Sequence, residues 1–385
     1  MKIVHICLCG PMTDGLNYQE NVLTKYHRKM GHDVTIIASE WVMTTNGKLE
    51  KIQKSNYYNS DDVKVIRLPL FWGTVDNRLK KYKGLYRTVV KEEPDILFIH
   101  DCQFLDMYVL RKYIKKNKML KVYVDNHVDY SNGAKGWLSR NILHKGLWRL
   151  CVKSVEPYVS KFYGVLPARV DFLQELYGIP KDKCELLVMG ADDELVEKIN
   201  STENRKKICK KYNIKDSDFI VVTGGKINKY RLETLNLMSA VIESKIETLK
   251  LIIFGSVDES IKEEFYELCK NKKIIYVGWQ NVENTYRMMS LADIVVFPGL
   301  HSVMWEQAVA LGTPCIFRKI KGFNHVDLGG NAIFLEDVSK KSLMNALENV
   351  VTDVKKQEKM KECAVSKGKK YFSYKDIAKR SIEIE

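Results

Sequence analysis

Short apolar runs alternate with longer amphipathic segments along the whole chain. In the first half, residues 2–9, 33–39, 63–70, 95–101, 121–127 and 162–167 read as strands. Helical periodicity occupies 18–30, 78–91 and 104–116 between them. The second half repeats the pattern, with strands at 219–225, 250–255, 273–279, 293–298, 314–318 and 332–335. Most of the strand segments centre on a continuous apolar run rather than an alternating pattern. A strand of that kind is buried on both faces, as in a parallel sheet covered by helices. Two such series predict an α/β fold of two doubly wound, Rossmann-like domains, with the change-over at about residues 168–200, near Gly178-Ile179-Pro180. Ligands of such sheets bind beyond the carboxyl ends of the strands, which is where the chemistry is sought.

Length agrees with this division, since 385 residues suit two domains of ordinary size. No apolar stretch is long enough to cross a membrane as a helix. The N-terminal run is short and is broken at Cys9-Gly10-Pro11, so it reads as a buried strand and not a leader. Nine scattered cysteines without a CxxC pair argue against a disulfide framework or a zinc site and suit a reducing cytosol. The net charge of +14 is unevenly spread. Residues 1–168 carry an excess of +11 and the remainder +3, which points to an anionic partner for the first half.

Four strand ends carry candidate chemistry. The first runs Cys9-Gly10-Pro11-Met12-Thr13-Asp14-Gly15-Leu16-Asn17, with Asn17 as N-cap of the next helix and Glu20 three residues on. A glycine-containing loop that feeds a helix N-terminus suits an anion; a turn plus a cap accounts for it equally well. The second is Gly224-Gly225-Lys226-Ile227-Asn228-Lys229-Tyr230-Arg231. Lys226 and Arg231 can neutralise a diphosphate leaving group, although a solvated basic loop has the same composition. The third is Pro298-Gly299-Leu300-His301-Ser302-Val303-Met304-Trp305-Glu306, with Ser302 as N-cap and Glu306 in the first helical turn. A carboxylate there can hold ribose hydroxyls, or merely meet the helix dipole. The fourth places His127 just past a strand among Asp125 and Asp129, where it can contact a sugar hydroxyl or assist proton transfer, or be structural. The acidic pairs Asp61-Asp62 and Asp192-Asp193 do not follow hydrophobic strands as a metal motif would. There is no nucleophilic triad, P-loop or nucleic-acid module.

Taken together these segments resemble retaining glycosyltransferases of the GT-B fold, in particular glycosyltransferase family 4. The resemblance covers nearly the whole chain. Asn17-Tyr18-Gln19-Glu20-Asn21 and Gly31-His32-Asp33-Val34 are similar to the family's first loop, helix and second strand. Tyr177-Gly178-Ile179-Pro180 with Leu187–Asp192 is similar to its linker. Gly225-Lys226-Ile227 with Arg231 is similar to its phosphate clamp with the two basic types exchanged. Glu306-Gln307-Ala308 through Gly312-Thr313-Pro314 is similar to its ribose segment, and Tyr371–Ala378 to its C-terminal helix.

The resemblance implies two Rossmann-like domains facing a central cleft. Residues 1–168 would form the acceptor and membrane side, 169–370 the nucleotide-sugar domain, and 371–385 a helix crossing back to the first. It implies that Lys226 and Arg231 hold the donor diphosphate, Glu306 binds ribose, and Gly15 approaches the phosphates. His127 would sit beside the transferring sugar. Trp279, Gln280 and Val282 would flank the base, and Gly225, Gly299, His301 and Ser302 would complete the donor site. It also implies a UDP- or GDP-linked donor, retention of configuration, and no cofactor or bound metal. One departure stands out. The family pattern is Glu-x7-Glu, and Pro298 occupies the position of the first glutamate, which normally meets the donor sugar. The segment that follows resembles a variant in capsular and cell-surface polysaccharide transferases.

Residues 137–153 read as a basic amphipathic helix. Arg140, Lys145, Arg149 and Lys153 form one stripe, Leu143, Leu147 and Leu150 another, and Trp137 and Trp148 are interfacial aromatics. Arg111, Lys112, Lys115, Lys116, Lys118 and Lys121 can add to it. Such a helix suits an anionic membrane surface and a lipid-linked acceptor, or else it packs on the sheet with a solvated basic face. The expected location is cytoplasmic, with a peripheral place on the inner face of the plasma membrane. Two other functions stay open: a catalytically silent GT-B subunit that binds sugar or supports a partner, and a nucleotide-sugar epimerase on the same fold.

Overall fold

The structure, a computed structural model, describes residues 1–44, 48–73, 79–199, 202–228 and 232–383. It divides into two compact units, residues 1–189 with 377–385, and residues 190–376.

In the first unit the strands are β1 (Lys2–Cys7), β2 (Asp33–Ser39), β3 (Trp41–Met43), β4 (Leu49–Lys51), β5 (Asn56–Tyr58), β6 (Lys64–Leu68), β7 (Ile96–Ile99), β8 (Lys121–Asn126), β9 (Lys161–Gly164) and β10 (Cys184–Leu186). Eight of them form one sheet in the order β10-β9-β8-β7-β1-β2-β6-β5, parallel except for the edge strand β5. β3 and β4 make a separate antiparallel pair. The helices are α1 (Gln19–Lys29), α2 (Leu85–Glu92), α3 (Met107–Lys116), α4 (Arg149–Val155) and α5 (Pro167–Glu175). Five of the six residues of β1 and all four of β7 are buried, as continuously apolar strands under two helical layers must be. The central strands therefore lie where their apolar runs predict. The short strands β3, β4, β5 and β10 carry no comparable run and were not expected. Helix α2 starts at Leu85, after Gly84 at φ +82°; the residue expected to begin it, at position 78, lies outside the described residues.

The unit boundary differs from the expected 168/169. α5 and β10 follow β9 and extend the first sheet, so the chain stays in this unit to residue 189. The return of the C-terminus begins at 377, not 371. His27 Nε2 donates to the Ala378 carbonyl at 3.0 Å, and Tyr163 donates its hydroxyl to the Arg380 carbonyl at 3.2 Å.

Residues 137–153 also differ from the single amphipathic helix expected. Ser139–Trp148 is a π-helix that runs into α4. A π-helix bonds i to i+5 and has a wider turn, so a 3.6-residue stripe does not stay aligned. Trp148 turns into the core at 3% exposure, and Leu143 and Leu147 pack against it. Trp137, Leu138, Ile142 and Leu150 are each at least 60% exposed. Trp148 is thus a core residue and not an interfacial aromatic.

The second unit contains β11 (Phe219–Ile227), β12 (Leu249–Val257), β13 (Ile274–Tyr276), β14 (Ile294–Phe297), β15 (Cys315–Arg318) and β16 (Ala332–Leu335), all parallel in the order β13-β12-β11-β14-β15-β16. Around them lie α6 (Asp193–Ile199), α7 (Thr202–Lys211), α8 (Glu233–Glu243), α9 (Lys262–Leu268), α10 (Val282–Ser290), α11 (Met304–Ala310), α12 (Lys340–Thr352) and α13 (Val354–Tyr371); α14 (Tyr374–Ser381) leads back to the first unit. β11 and β12 run side by side through Gly225 and Gly255, both at φ +123°. A Cβ on Gly255 would stand 1.9 Å from the Gly225 carbonyl oxygen, so only glycine allows the two strand ends to approach this closely.

Candidate active site

Strand order reverses at β11/β14 in the second sheet and at β1/β7 in the first. A crevice opens at the carboxyl ends of the strands at such a point. At the first of these places β11 ends in Gly225-Lys226-Ile227 and β14 is followed by Pro298-Gly299. Sequence positions some 70 residues apart are therefore neighbours, and the Lys226 side chain is exposed there. Arg231, the other expected phosphate ligand, lies outside the described residues. Trp279 is 57% exposed beyond β13, two strands from β11. Gln280 donates to the Val277 carbonyl at 2.6 Å, which pins the turn before Val282 opens α10.

The segment after β14 differs from expectation in two ways. Helix α11 starts at Met304 with Val303 in the cap position, so Ser302 is not its N-cap; its hydroxyl only accepts weakly from the Met304 N–H at 3.4 Å. Glu306 is fully enclosed, not presented to solvent. Its Oε1 accepts from His301 Nε2 at 2.9 Å and from His325 Nε2 at 2.8 Å, and its Oε2 lies 3.1 Å from His301 Nε2. Burial alone would raise its pKa; the charge and hydrogen bonds of the two imidazoles override this and hold it at about 2. A ribose could reach this carboxylate only if one histidine released it. His325 lies 19 residues away in a loop, and no local pattern marked it.

In the first unit the loop after β1 is held from behind. Arg67, 3% exposed, donates to the Met12 carbonyl at 2.6 Å, the Ser39 carbonyl at 3.1 Å and Asp14 Oδ2 at 3.1 Å. Asn21 Nδ2 donates to the carbonyls of Thr13 and Leu16 at 2.8 and 2.9 Å. Gly15, at φ +75°, therefore sits on a fixed loop with open space where a Cβ would be. Helix α1 starts one residue later than expected. Tyr18 is extended and takes the cap position without a side-chain cap, so Asn17 is not the N-cap.

Below that loop lies a pocket of about 270 Å³ lined by residues that include Cys9, Gly10, Tyr18, Glu20, His100, Asp101 and His127. The lining comes from the carboxyl ends of β1, β7 and β8 and from the start of α1. His127 is where the sequence pointed. His100 and Asp101 were missed, although a titratable pair directly past the apolar run 96–99 is the same signal as His127 past β8. Asp101 is in the left-handed region at φ +61°, a strained position for a non-glycine residue at a ligand-side strand end. Its Oδ1 accepts the His127 backbone N–H at 2.7 Å.

Asp125 is wholly buried and ties the site together. Its Oδ2 accepts from His100 Nδ1 at 2.8 Å, and its Oδ1 accepts from the Asp101 N–H at 2.9 Å and pairs with His127 Nε2 at 3.4 Å. Burial would raise its pKa, but His100 and His127 hold it below the usual carboxylate range. Burial would lower the pKa of His127; the Asp125 carboxylate and then Asp101 lift it to about 9. Glu20 is pushed upward by burial. The pocket thus offers a charged imidazole and carboxylates, the groups that bind sugar hydroxyls. In both histidine–carboxylate clusters, His100/Asp125/His127 and His301/Glu306/His325, hydrogen bonds among the members account for the geometry.

Two parallel-sheet Rossmann-like units, each with its ligand-side features at a strand-order reversal, define an α/β fold of the GT-B class. Residues 181–367 match the family described as glycosyl transferases group 1. An uncharacterized glycosyltransferase of Methanocaldococcus jannaschii is 21% identical over 217 residues, 54% of this chain and 55% of that protein, so the match spans about half of each. HepE of Anabaena, solved in complex with UDP, superposes with a TM-score of 0.66 at 14% identity over 100% of this chain and 99% of its own. WaaG, a glycosyltransferase involved in lipopolysaccharide biosynthesis, gives 0.66 at 14% identity over 99% of each chain. The matched domain and the shared fold support a glycosyltransferase.

Proposed function

We propose that the chain is a retaining glycosyltransferase that moves a sugar from a UDP- or GDP-linked donor to a lipid-linked glycan in cell-surface polysaccharide synthesis. The observation that carries this reading is the pairing of β11 with β14 at the reversal point of the second sheet, inside the matched domain: β11 ends in Gly225-Lys226-Ile227, β14 opens the segment from Pro298 to Glu306, and a Cβ on Gly225 would stand 3.5 Å from Met304 Cε. Glycine at 225 lets a diphosphate approach the backbone, and the exposed Lys226 ammonium meets its charge.

In the reaction the acceptor hydroxyl oxygen bonds to the anomeric carbon as the bond to the diphosphate breaks. The electron pair leaves on a phosphate oxygen, and the hydroxyl proton passes to the diphosphate. Charge therefore grows on the leaving group, where Lys226 and Arg231 act; one such donor contributes roughly 3 kcal/mol. Trp279, Gln280 and Val282 flank the base, and Gly299, His301 and Ser302 border the donor. Glu306 anchors His301 and His325 and reaches a ribose only by releasing one of them. In the first unit Gly15 permits close approach of a ligand, and His127 donates to a sugar hydroxyl.

HepE was solved with UDP, so UDP-sugars are the first donors to test. A donor present at about 100 times its Kd stabilises the fold by about 2.7 kcal/mol, readily visible in a melt. The expected result is a rise in Tm with one nucleotide class, followed by transfer that keeps the anomeric configuration in product NMR and survives a chelator. Lys226→Ala should abolish transfer at unchanged Tm. No stabilisation by any nucleotide sugar, or near-normal turnover in Lys226→Ala, refutes the assignment. Pro298 in place of a glutamate favours one other reading, a silent sugar-binding subunit; donor stabilisation without product would select it.

The membrane reading rests on the exposed cluster Trp137, Leu138, Ile142 and Leu150 beside exposed Arg140, Lys145 and Arg149. Apolar side chains that enter an interface next to cations suit anionic lipid, with about 1 kcal/mol per cation near the surface. On this reading the protein sits peripherally on a cytoplasmic membrane face and takes its acceptor from lipid-linked glycans. Flotation with anionic liposomes tests it, and binding insensitive to salt or lipid charge counts against it.

A further inference from the structure

Three buried imidazoles run in a row beneath the first-unit pocket. His27 on α1 reaches the C-terminal segment: its Nε2 is 3.0 Å from the Ala378 carbonyl and 3.0 Å from Ser381 Oγ. Its Nδ1 is 3.0 Å from His5 Nε2. His5 Nδ1 is 2.9 Å from His100 Nε2, and His100 Nδ1 is 2.8 Å from Asp125 Oδ2. His5 and His27 are wholly buried and His100 is 6% exposed.

Protons can be counted along this row. Each of the four contacts needs one hydrogen between its two atoms. Both ends are acceptors. A carbonyl cannot donate, and Asp125 already accepts from Asp101 N–H and pairs with His127, so it is a carboxylate. Four hydrogens must therefore come from three rings, while three neutral imidazoles supply only three. Ser381 does not remove the excess, because its hydroxyl donates to the Ala378 carbonyl at 2.8 Å and leaves its oxygen to accept from His27. From the carbonyl end, His27 donates through Nε2 and accepts at Nδ1, and His5 does the same. His100 then donates from both nitrogens. Burial and the neighbouring rings keep His5 and His27 in their neutral forms, and the cation falls next to the carboxylate.

We propose that His100 is a positioning residue, held as an imidazolium by the buried row, which fixes Asp125 and through it His127, so that docking of the C-terminal segment at Ala378 sets the charge of the pocket. The groups that face His100 are His5 and Cys7 from β1, Glu20 and His27 from α1, Asp101 after β7, and Asp125 and His127 from β8 and its end. The consequence for sugar binding rests on the function proposed above. The protonation states do not.

The test is ring-nitrogen NMR of the full chain with labelled histidine at pH 8, well above the ordinary imidazole pKa of about 6.5. Couplings across the N–H···N bonds should connect three rings, with one protonated nitrogen in His27, one in His5 and two in His100. Three neutral rings would overturn the proposal. His27→Phe removes the contact to Ala378 and leaves two contacts for two rings, so His100 becomes neutral. A like charge beside His127 is then lost, and the titration midpoint of His127 should rise by about one pH unit. A midpoint that does not move would overturn the proposal. Ser381→Ala is the milder variant. It keeps the Ala378 carbonyl as acceptor, so both the doubly protonated His100 and the His127 midpoint should persist; a change in either would mean that the serine hydroxyl had supplied the missing hydrogen, and would also overturn it. None of these readouts uses transfer activity, so failure of the glycosyltransferase reading leaves them interpretable.

Discussion

Replacing Glu306 tests most directly what the second-unit site is made of. Its carboxylate has no solvent exposure and accepts from two imidazoles whose side chains are 4% and 1% exposed. Glu306→Ala removes the carboxylate that His301 and His325 share as acceptor. Removal of one partner of a buried charged pair costs about 3–5 kcal/mol. A folding unit of 150–250 residues, the class to which residues 190–376 belong, loses about 2–4 °C per kcal/mol, so the transition should fall by roughly 6–20 °C. The pH dependence gives a second measure. The folded pKa of about 2 lies below the ordinary 4.5, so the ionised form stabilises the fold. That contribution is complete above about pH 4.5 and is lost as pH falls through about 2. It amounts to about 3 kcal/mol at 1.36 kcal/mol per pH unit. Glu306→Gln keeps the shape but cannot titrate, so the stability gap between it and the wild type should narrow by that amount between pH 5 and 2. Thermal melts of both variants across this range by circular dichroism are the assay. A Glu306→Ala Tm within about 2 °C of wild type, or an unchanged acid limb in Glu306→Gln, would refute the enclosed His–Glu–His arrangement.

Three further outcomes follow from the structure. Arg67→Ala should release the loop that carries Gly15, weaken ligand binding in the first unit and cost about 3 kcal/mol or more, since Asp14 and two carbonyls lose a buried partner; unchanged denaturant midpoint would contradict it. Gly255→Ala should lower Tm and reduce donor binding together, because its Cβ would stand 1.9 Å from the Gly225 carbonyl at the proposed diphosphate site; normal nucleotide stabilisation of the variant would count against that site. Exchange of Trp137, Leu138 and Ile142 for serine should leave Tm nearly unchanged, since all three are exposed, yet abolish liposome flotation; retained flotation would assign any membrane contact to another surface.

Much of the architecture was legible because it is local. A strand dry on both faces must be apolar at every position, so 96–99 or 294–297 declares itself without knowledge of its neighbours. The ligand ends of those strands were legible for the same reason, and His127, Lys226 and Gly299 were found there. Helix starts were less so. Asn17 and Ser302 have the right side chains for caps, but each helix begins two residues later, at Gln19 and Met304, with Tyr18 and Val303 in the cap positions. The stripe at 137–153 misled because it assumes a turn of 3.6 residues, which the π-helix does not have.

The sequence by itself determined the element types, the two α/β series and the strand ends at which chemistry gathers, since each is a property of a few consecutive residues. Tertiary structure alone decided which strand ends meet. Strand order put β11 beside β14 and β1 beside β7, and so brought Gly225 to Met304 and His5 to His100, 95 residues apart. It gave Glu306 its second imidazole from a loop, and it brought Ala378 under His27, 351 residues earlier. Hydrogen bonds and charges act across a few ångströms of space whatever the separation along the chain, and that distance is set only when the sheets have closed.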